Sequence, residues 1–236
     1  MNSDKLSLRL ETVAKYIPLG SSFADIGSDH AYLPCYVAKR NKISFAVAGE
    51  VVEGPYNSAV KQVKQEGLTE IISVRKGNGL EVISPNEVQC ITIAGMGGAL
   101  IAEILEQGKS KLSSVNRLIL QPNVSAYSVR KWLVQNGWEL INEEIIEEDN
   151  KIYEVLVAER GDVQKQYESD KEKLLLLGPF LVEEKNKVFE KKWLMEKNNW
   201  EKILKQLENA PDTLANRRKS EELIEKIKLI EEVIGR

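Results

Sequence analysis

Four short segments carry acidic, amide and glycine residues at spacings that suit the ends of parallel strands. The first is Phe23-Ala24-Asp25-Ile26-Gly27-Ser28-Asp29-His30. Asp25-Ile26-Gly27 places a carboxylate next to a residue without a Cβ, where backbone can pass close to a ligand. The second and third glycines of Gly-x-Gly-x-x-Gly are missing, so a pyrophosphate is poorly provided for. A ligand with an amino-acid tail and no phosphate suits the segment better, its ammonium drawn to Asp25. Glu50 follows roughly 20–25 residues beyond the loop, where an acidic residue bonds ribose hydroxyls. Its plain alternative is a solvated strand-end glutamate. In Gly77-Asn78-Gly79, Asn78 offers donor and acceptor to an adenine edge, or simply shapes a turn. Ala94-Gly95-Met96-Gly97-Gly98 opens backbone space where the donor and acceptor of a transferred group would meet. Each signal alone also reads as turn chemistry; the four together favour a nucleoside-type ligand.

The elements that must position these segments follow from periodicity. An amphipathic opening helix is predicted from Leu6 to Ile17, ended by Pro18. Strands are predicted at 23–26, 43–48, 71–74, 88–94 and 117–120, with helices at 31–40, 54–66, 98–106 and 126–136. Asp29 is placed near the cap of the helix that begins at Ala31. Two further strands, 138–147 and 152–158, flank Asp149-Asn150, which suits a tight hairpin. Five βα units followed by a hairpin predict an α/β fold: a Rossmann-like, mostly parallel, doubly wound sheet with a terminal antiparallel hairpin. This succession fits the class I methyltransferase architecture better than a nicotinamide dehydrogenase, whose second half repeats βαβ.

From residue 164 onward glycine nearly vanishes, and Lys, Glu and Leu dominate. Leu223, Ile227, Ile230 and Ile234 recur at steps of four, three and four, a heptad-like seam. The domain expectation is a cofactor-binding domain over 1–160 and a helical, coiled-coil-like hairpin over 161–236. A net charge of −3 argues against binding nucleic acid through overall positive charge, leaving room for local basic patches. No signal peptide and no apolar run of about 18–20 residues is seen, so a soluble, cytoplasmic protein is expected. Cys35 and Cys90 fit no disulfide or metal framework, and one histidine leaves little for a zinc site or a Ser-His-Asp triad. No metal is expected.

The strand-end motifs, with Ala31-Tyr32-Leu33-Pro34, Gly49-Glu50-Val51, Leu80-Glu81 and Gln121-Pro122-Asn123, resemble the bacterial tRNA (adenine-22-N1)-methyltransferase family. The resemblance spans residues 1 to about 160 in order, and the helical tail is similar to that family's carboxy-terminal domain. Members often carry Asp where this chain has Asn78. The resemblance implies S-adenosyl-L-methionine as methyl donor, S-adenosyl-L-homocysteine as product, and N1 of an adenine in tRNA as acceptor. The residues assigned to the donor are Asp25, Gly27, Ser28, His30, Glu50, Asn78, Gly79, Ala94, Gly95, Met96 and Gly97. A methyltransferase for another RNA position or a small molecule, and a non-catalytic RNA-binding scaffold, are the alternatives.

Adenine N1 has an in-plane lone pair, so no base is needed to create the nucleophile. Positive charge grows on the purine as the bond forms, and a carboxylate accepting from the exocyclic amine would stabilise it. Asp29 is the candidate catalytic residue. The Asn/Asp-Pro-Pro-aromatic motif common in exocyclic-amine methyltransferases is missing after the fourth strand, which favours ring-nitrogen chemistry. Tyr32, which also reads as core packing, and Gln121, Pro122 and Asn123 are candidates for contact with the target base. Arg9, Arg217 and Arg218 are candidates for contact with tRNA, with Arg217-Arg218-Lys219 expected at the turn of the tail hairpin. A monomer is expected, with weak dimerisation through the tail as the variant reading.

Overall fold

The computed structural model describes residues 2–163, 165–167 and 169–235. The chain divides into two compact units, Met1–Glu168 and Ser169–Arg236. In the first, helix α1 (Leu8–Tyr16) leads into β1 (Ser21–Ile26), α2 (Tyr32–Ala38), β2 (Ile43–Glu50), α3 (Glu53–Gln65), β3 (Ile72–Lys76), β4 (Cys90–Gly97), α4 (Gly98–Gln107), β5 (Arg117–Val124), α5 (Ala126–Gln135), β6 (Trp138–Glu148) and β7 (Lys151–Arg160). The sheet order is β3-β2-β1-β4-β5-β7-β6. The first five strands are parallel, and β7 runs antiparallel to both β5 and β6. The Rossmann-like sheet with a terminal antiparallel hairpin is therefore present. Its switch point lies between β1 and β4, where the chain has gone outward through β2 and β3 and returns on the other side. Ligands of open α/β sheets bind outside the carboxyl ends of the strands at such a point.

Central strands are apolar because both faces are covered: Phe23, Ala46, Ile91, Ile93, Leu118 and Ile119 have no exposed surface. The hairpin turns at Asp149 and Asn150, with φ of 49° and 59°, the paired left-handed geometry that short polar residues tolerate. Helix α1 starts at Ser7, whose side chain accepts from the Leu10 amide at 3.3 Å. The Glu148 carboxylate at the end of β6 takes the Leu8 and Arg9 amides at 2.6 and 3.2 Å. That places the first turn of α1 against the hairpin.

Two expectations are corrected. The β3-to-β4 connection is no βα unit: it carries only a 3-10 turn, Gly79–Val82, because two glycines and a proline break any helical period there. Asp29 does not cap α2. The cap position is Ala31, in the left-handed region at φ 54° with no side-chain bond, because the loop takes an extra residue to turn into the helix.

The second unit contains α6 (Lys171–Leu177), α7 (Pro179–Glu184), α8 (Lys187–Glu208) and α9 (Leu214–Ile234). Gly178, at φ 90°, separates α6 from α7, and Pro179 opens α7. Asn186 and Thr213 cap α8 and α9 through their side chains. Lys197 pairs with Glu231 at 2.7 Å and Lys226 lies over the Trp200 ring, so α8 and α9 run antiparallel. Leu223, Ile227 and Ile230 are buried, as the seam predicts, and Ile234 is half-buried. Two short helices precede the hairpin that the pattern predicts. Arg217 and Arg218 lie on α9 itself, not in the turn before it, and Arg217 forms an ion pair with Asp212. Among the described residues no helix is long and apolar enough to cross a membrane, and no group of three His, Cys, Asp or Glu residues could hold a metal ion.

Candidate active site

A cleft of about 230 Å³ opens at the switch point. It is lined by the β1 loop (Asp25, Gly27, Ser28, Asp29), the start of α2 (Tyr32, Leu33), the end of β4 (Ala94, Gly95) and α1 (Arg9, Leu10). Three residues in five of the β1 loop are left-handed: Gly27 at φ 73°, Asp29 at 51° and Ala31 at 54°. Such conformations cost roughly 1–3 kcal/mol each for residues with a Cβ and persist where surrounding bonds hold them. Here the holding bonds are visible. The Gly27 and Ser28 amides donate to the Gly49 carbonyl at 2.9 and 3.0 Å, and the Asp29 amide donates to Glu50 Oε2 at 3.2 Å. The end of β2 thus fixes the loop that follows β1.

Asp25 is buried, and each of its oxygens accepts one hydroxyl: Ser28 at 2.6 Å and Thr92 at 2.7 Å. Burial pushes its carboxyl above the usual range and the nearby Glu50 adds to this, while the two hydroxyls and the Arg9 charge pull the other way. Glu50 is buried as well. Its Oε1 accepts the Val51 and Val52 amides at 2.9 and 3.1 Å. Neither carboxylate pairs directly with a cation in these bonds, so both stay open to a ligand that brings one.

The end of β4 is bulged at Gly95, φ 82°, where the register with β5 shifts. Gln121, fully buried on β5, holds the bulge: its Oε1 accepts the Gly95 amide at 2.9 Å and Arg9 Nη1 at 2.6 Å. Its Nε2 donates to the Pro122 carbonyl and to Asn123 Oδ1, and Asn123 Nδ2 donates to the Gly95 carbonyl at 2.7 Å.

The glycines make room. A Cβ on Gly27 would sit 2.3 Å from Met96 Cε, and one on Gly98 would sit 2.0 Å from the Ser125 carbonyl oxygen.

The structure brings together Arg9, Asp25, Gly27, Ser28, Asp29, Tyr32, Ala94 and Gly95 in one lining, with Glu50 joined through Asp29. Asp29 is exposed, and His30 stacks on Tyr32 with ring centroids 5.1 Å apart. Tyr32 both lines the cleft and packs against the core. Gln121 and Pro122 are buried behind the exposed Asn123. Asn78 and Gly79 stand at the end of β3, where Glu81 accepts the Asn78 amide at 3.1 Å. Gly97 and Met96 complete the bulged strand end. Arg217 and Arg218 belong to the other unit. The sequence reading missed Thr92 and Tyr153, and gave Gly49 no role of its own. Only Thr92 carried a signal, as the one hydroxyl in a run of apolar residues.

A nucleoside with an amino-acid tail fits this donor set: acidic groups for an ammonium and ribose hydroxyls, bare glycine backbone, and a cation at one side. Strand order and cleft together define a Rossmann-like methyltransferase of the class I type. A family model described as tRNA (adenine(22)-N(1))-methyltransferase matches residues 23–232. The Bacillus subtilis (strain 168) tRNA (adenine(22)-N(1))-methyltransferase is 54% identical over 235 residues, 99% of this chain and 99% of that protein. A crystal structure of the B. subtilis enzyme gives a TM-score of 0.94 at 53% identity, covering 98% of this chain and 99% of that one. A Streptococcus pneumoniae protein solved in complex with S-adenosyl-L-methionine gives 0.86 at 44% identity, covering 98% of this chain and all of that one. The chain belongs to the tRNA (adenine(22)-N(1))-methyltransferase family.

Proposed function

We propose that this protein transfers a methyl group from S-adenosyl-L-methionine to N1 of adenine 22 in tRNA and releases S-adenosyl-L-homocysteine. The observation that carries the reading is the preorganised acidic cleft at the β1–β4 switch point, in a chain of this family. When bound, the donor supplies an electrophilic methyl group on a sulfonium. Glu50 takes the ribose hydroxyls with the lone pairs its three backbone amides leave free. Asn78 and Gly79 meet the adenine edge, and Asp25 with Ser28 faces the amino-acid end. Gly27, Ala94, Gly95, Met96 and Gly97 admit the donor to close backbone approach, with His30 closing the loop side.

Methyl transfer is an in-line displacement, so the protein's main task is positioning. Asp29, exposed at the cleft mouth, accepts from the exocyclic amine of the target and stabilises the charge that grows on the ring. Its backbone bond to Glu50 ties that carboxylate to the donor side. Tyr32 offers a stacking face to a target base exposed from its helix. Asn123 contacts the acceptor, supported by Gln121 and Pro122. Residues 1–160 form the cofactor domain, and the helical domain, 161–236, contacts tRNA phosphates through Arg217 and Arg218. The protein acts in the cytoplasm as a monomer.

Incubation with labelled donor and unmodified tRNA, followed by nucleoside mass spectrometry, tests this. The expected product is 1-methyladenosine, lost when adenine 22 is replaced. Methylation of the replaced tRNA would defeat the positional claim. Asp29→Asn is expected to lower kcat by about 10²-fold while leaving S-adenosyl-L-homocysteine affinity unchanged.

A further inference from the structure

Gln121 is wholly buried on β5, and both ends of its amide are in use. Its Oε1 accepts the Gly95 amide at 2.9 Å and Arg9 Nη1 at 2.6 Å. A backbone N–H and a guanidinium can only donate, so the oxygen of Gln121 has to face them. Its nitrogen faces the other way, donating to the Pro122 carbonyl at 3.0 Å and to Asn123 Oδ1 at 3.3 Å. That settles the second amide in turn. Asn123 turns its oxygen to Gln121 and its nitrogen to the Gly95 carbonyl, which accepts at 2.7 Å. The ring of bonds closes on both polar groups of Gly95, the bulged residue in the cleft lining. Asn123 is exposed, and its nitrogen end is the end beside that lining. One of its two N–H groups goes to Gly95; the other has no partner among the described residues.

We infer that Asn123 donates this remaining N–H to a second ring nitrogen of the target adenine, holding the base in its plane with N1 toward the methyl group. This rests on the acceptor reading proposed above and gives it an atom. Besides N1, adenine has N3 and N7 as ring acceptors. A donor on N1 itself would occupy the lone pair that must attack, so the N–H goes to N3 or N7. The Asp29 carboxylate can only accept, and takes from the exocyclic amine. β1 and β5 lie on either side of β4, so Asp29 and Asn123 reach the base from opposite sides of the β4 end. One such contact alone would let the base swing about it; two fix its rotation. A hydrogen bond onto the ring draws electron density away from N1, so the gain is one of orientation. Gln121 is then a positioning residue. Without its N–H, nothing would hold the Asn123 oxygen away from the cleft.

The test uses full-length tRNA with adenosine, 3-deazaadenosine or 7-deazaadenosine at position 22, and reads kcat/KM for methylation at N1. The deaza bases alter the reactivity of N1, so each variant is compared with wild type on the same tRNA. Asn123→Ala, a change at an exposed side chain, is expected to lower kcat/KM on adenosine about 10-fold. On the deaza base that lacks the held nitrogen, the same variant is expected to stay within about 2-fold of wild type. On the other deaza base the full loss is expected, and the pattern tells N3 from N7. Its affinity for S-adenosyl-L-homocysteine in calorimetry is expected to change less than about 2-fold. Gln121→Glu keeps an acceptor for Gly95 and Arg9 but cannot donate, and is expected to give the same pattern across the three tRNAs. Equal losses of Asn123→Ala on all three tRNAs would overturn the inference, as would full activity on adenosine or a matching loss of S-adenosyl-L-homocysteine affinity. Full activity of Gln121→Glu would remove its positioning role. If wild type formed no 1-methyladenosine on the adenosine tRNA, the proposed function itself would fall, a result distinct from these.

Discussion

Among the described residues of the α/β unit carboxylates are buried in two places, and they are held in different ways. In the hairpin, Glu143 and Glu154 both meet the guanidinium of Arg130 from α5, with Nε to Glu143 Oε1 at 2.6 Å and Nη2 on Glu154. All three side chains are almost wholly buried. In the cleft, Asp25 accepts two hydroxyls and Glu50 accepts three backbone amides. The first arrangement sets a cation directly against both carboxylates within the fold. The second satisfies hydrogen bonds without cancelling charge, and so leaves attraction for a ligand that brings an ammonium and hydroxyls. Burial of a carboxylate thus separates structure from function only once its partners are known.

The largest effect is expected where the carboxylates already have a cation. Arg130→Met leaves two carboxylates buried without their cation and should cost about 3–5 kcal/mol of stability. Urea denaturation followed by circular dichroism reads this directly. A cost under about 1 kcal/mol would mean that the hairpin cluster is no tighter than a surface pair, and the contrast with the cleft would collapse. Glu50→Gln comes next and should split the other way. The amide keeps one oxygen for the Val51 and Val52 amides but turns a donor toward the Asp29 amide and removes the charge. S-adenosyl-L-homocysteine affinity should drop about 10- to 100-fold, with a fold cost of only about 1 kcal/mol. Unchanged affinity in calorimetry would remove Glu50 from the donor site.

The cleft side of this contrast was legible in the sequence, and the reason lies in chain direction. Every parallel strand ends on the same side, so residues just after an apolar run share a rim whatever the details of packing. Asp25, Glu50, Asn78 and the Gly95 turn could be placed that way. What could not be read is which polar group meets which. Gln121 looked like a rim residue that would touch substrate, yet it is buried and serves Gly95, Asn123 and Arg9. Arg130, Glu143 and Glu154 lie on three elements and form one cluster only after β7 inserts between β5 and β6, a step that a linear pattern does not encode. Asp29 followed the local rule for a helix cap, but the helix starts one residue later than its pattern suggests and the left-handed Ala31 takes the cap position. Local preference yielded there to the bonds that pin the loop to Gly49 and Glu50.

Asp25 gives an effect on the fold of opposite sign and the sharpest test of the contrast. Burial raises its carboxyl above the ordinary value in the folded state. A group raised in this way contributes stability that is present below its unfolded pKa and lost as pH rises through the folded value. Above the unfolded pKa the donor-free protein therefore carries a cost for holding this carboxyl in its buried site. Asp25→Asn removes that cost, and the amide can still accept one hydroxyl and donate to the other. The variant should be more stable than wild type at pH 7 by about 1 kcal/mol, and the gap should close as pH falls toward the ordinary carboxylate range of the unfolded chain. Its affinity for S-adenosyl-L-homocysteine should fall over the same range. Denaturation curves at several pH values would decide it: a wild type more stable than the variant at pH 7, by an amount that does not change with pH, would show Asp25 to be a structural anchor like Glu143. The predicted gain in stability with loss of binding is what separates a carboxylate held ready for a ligand from one already matched within the fold.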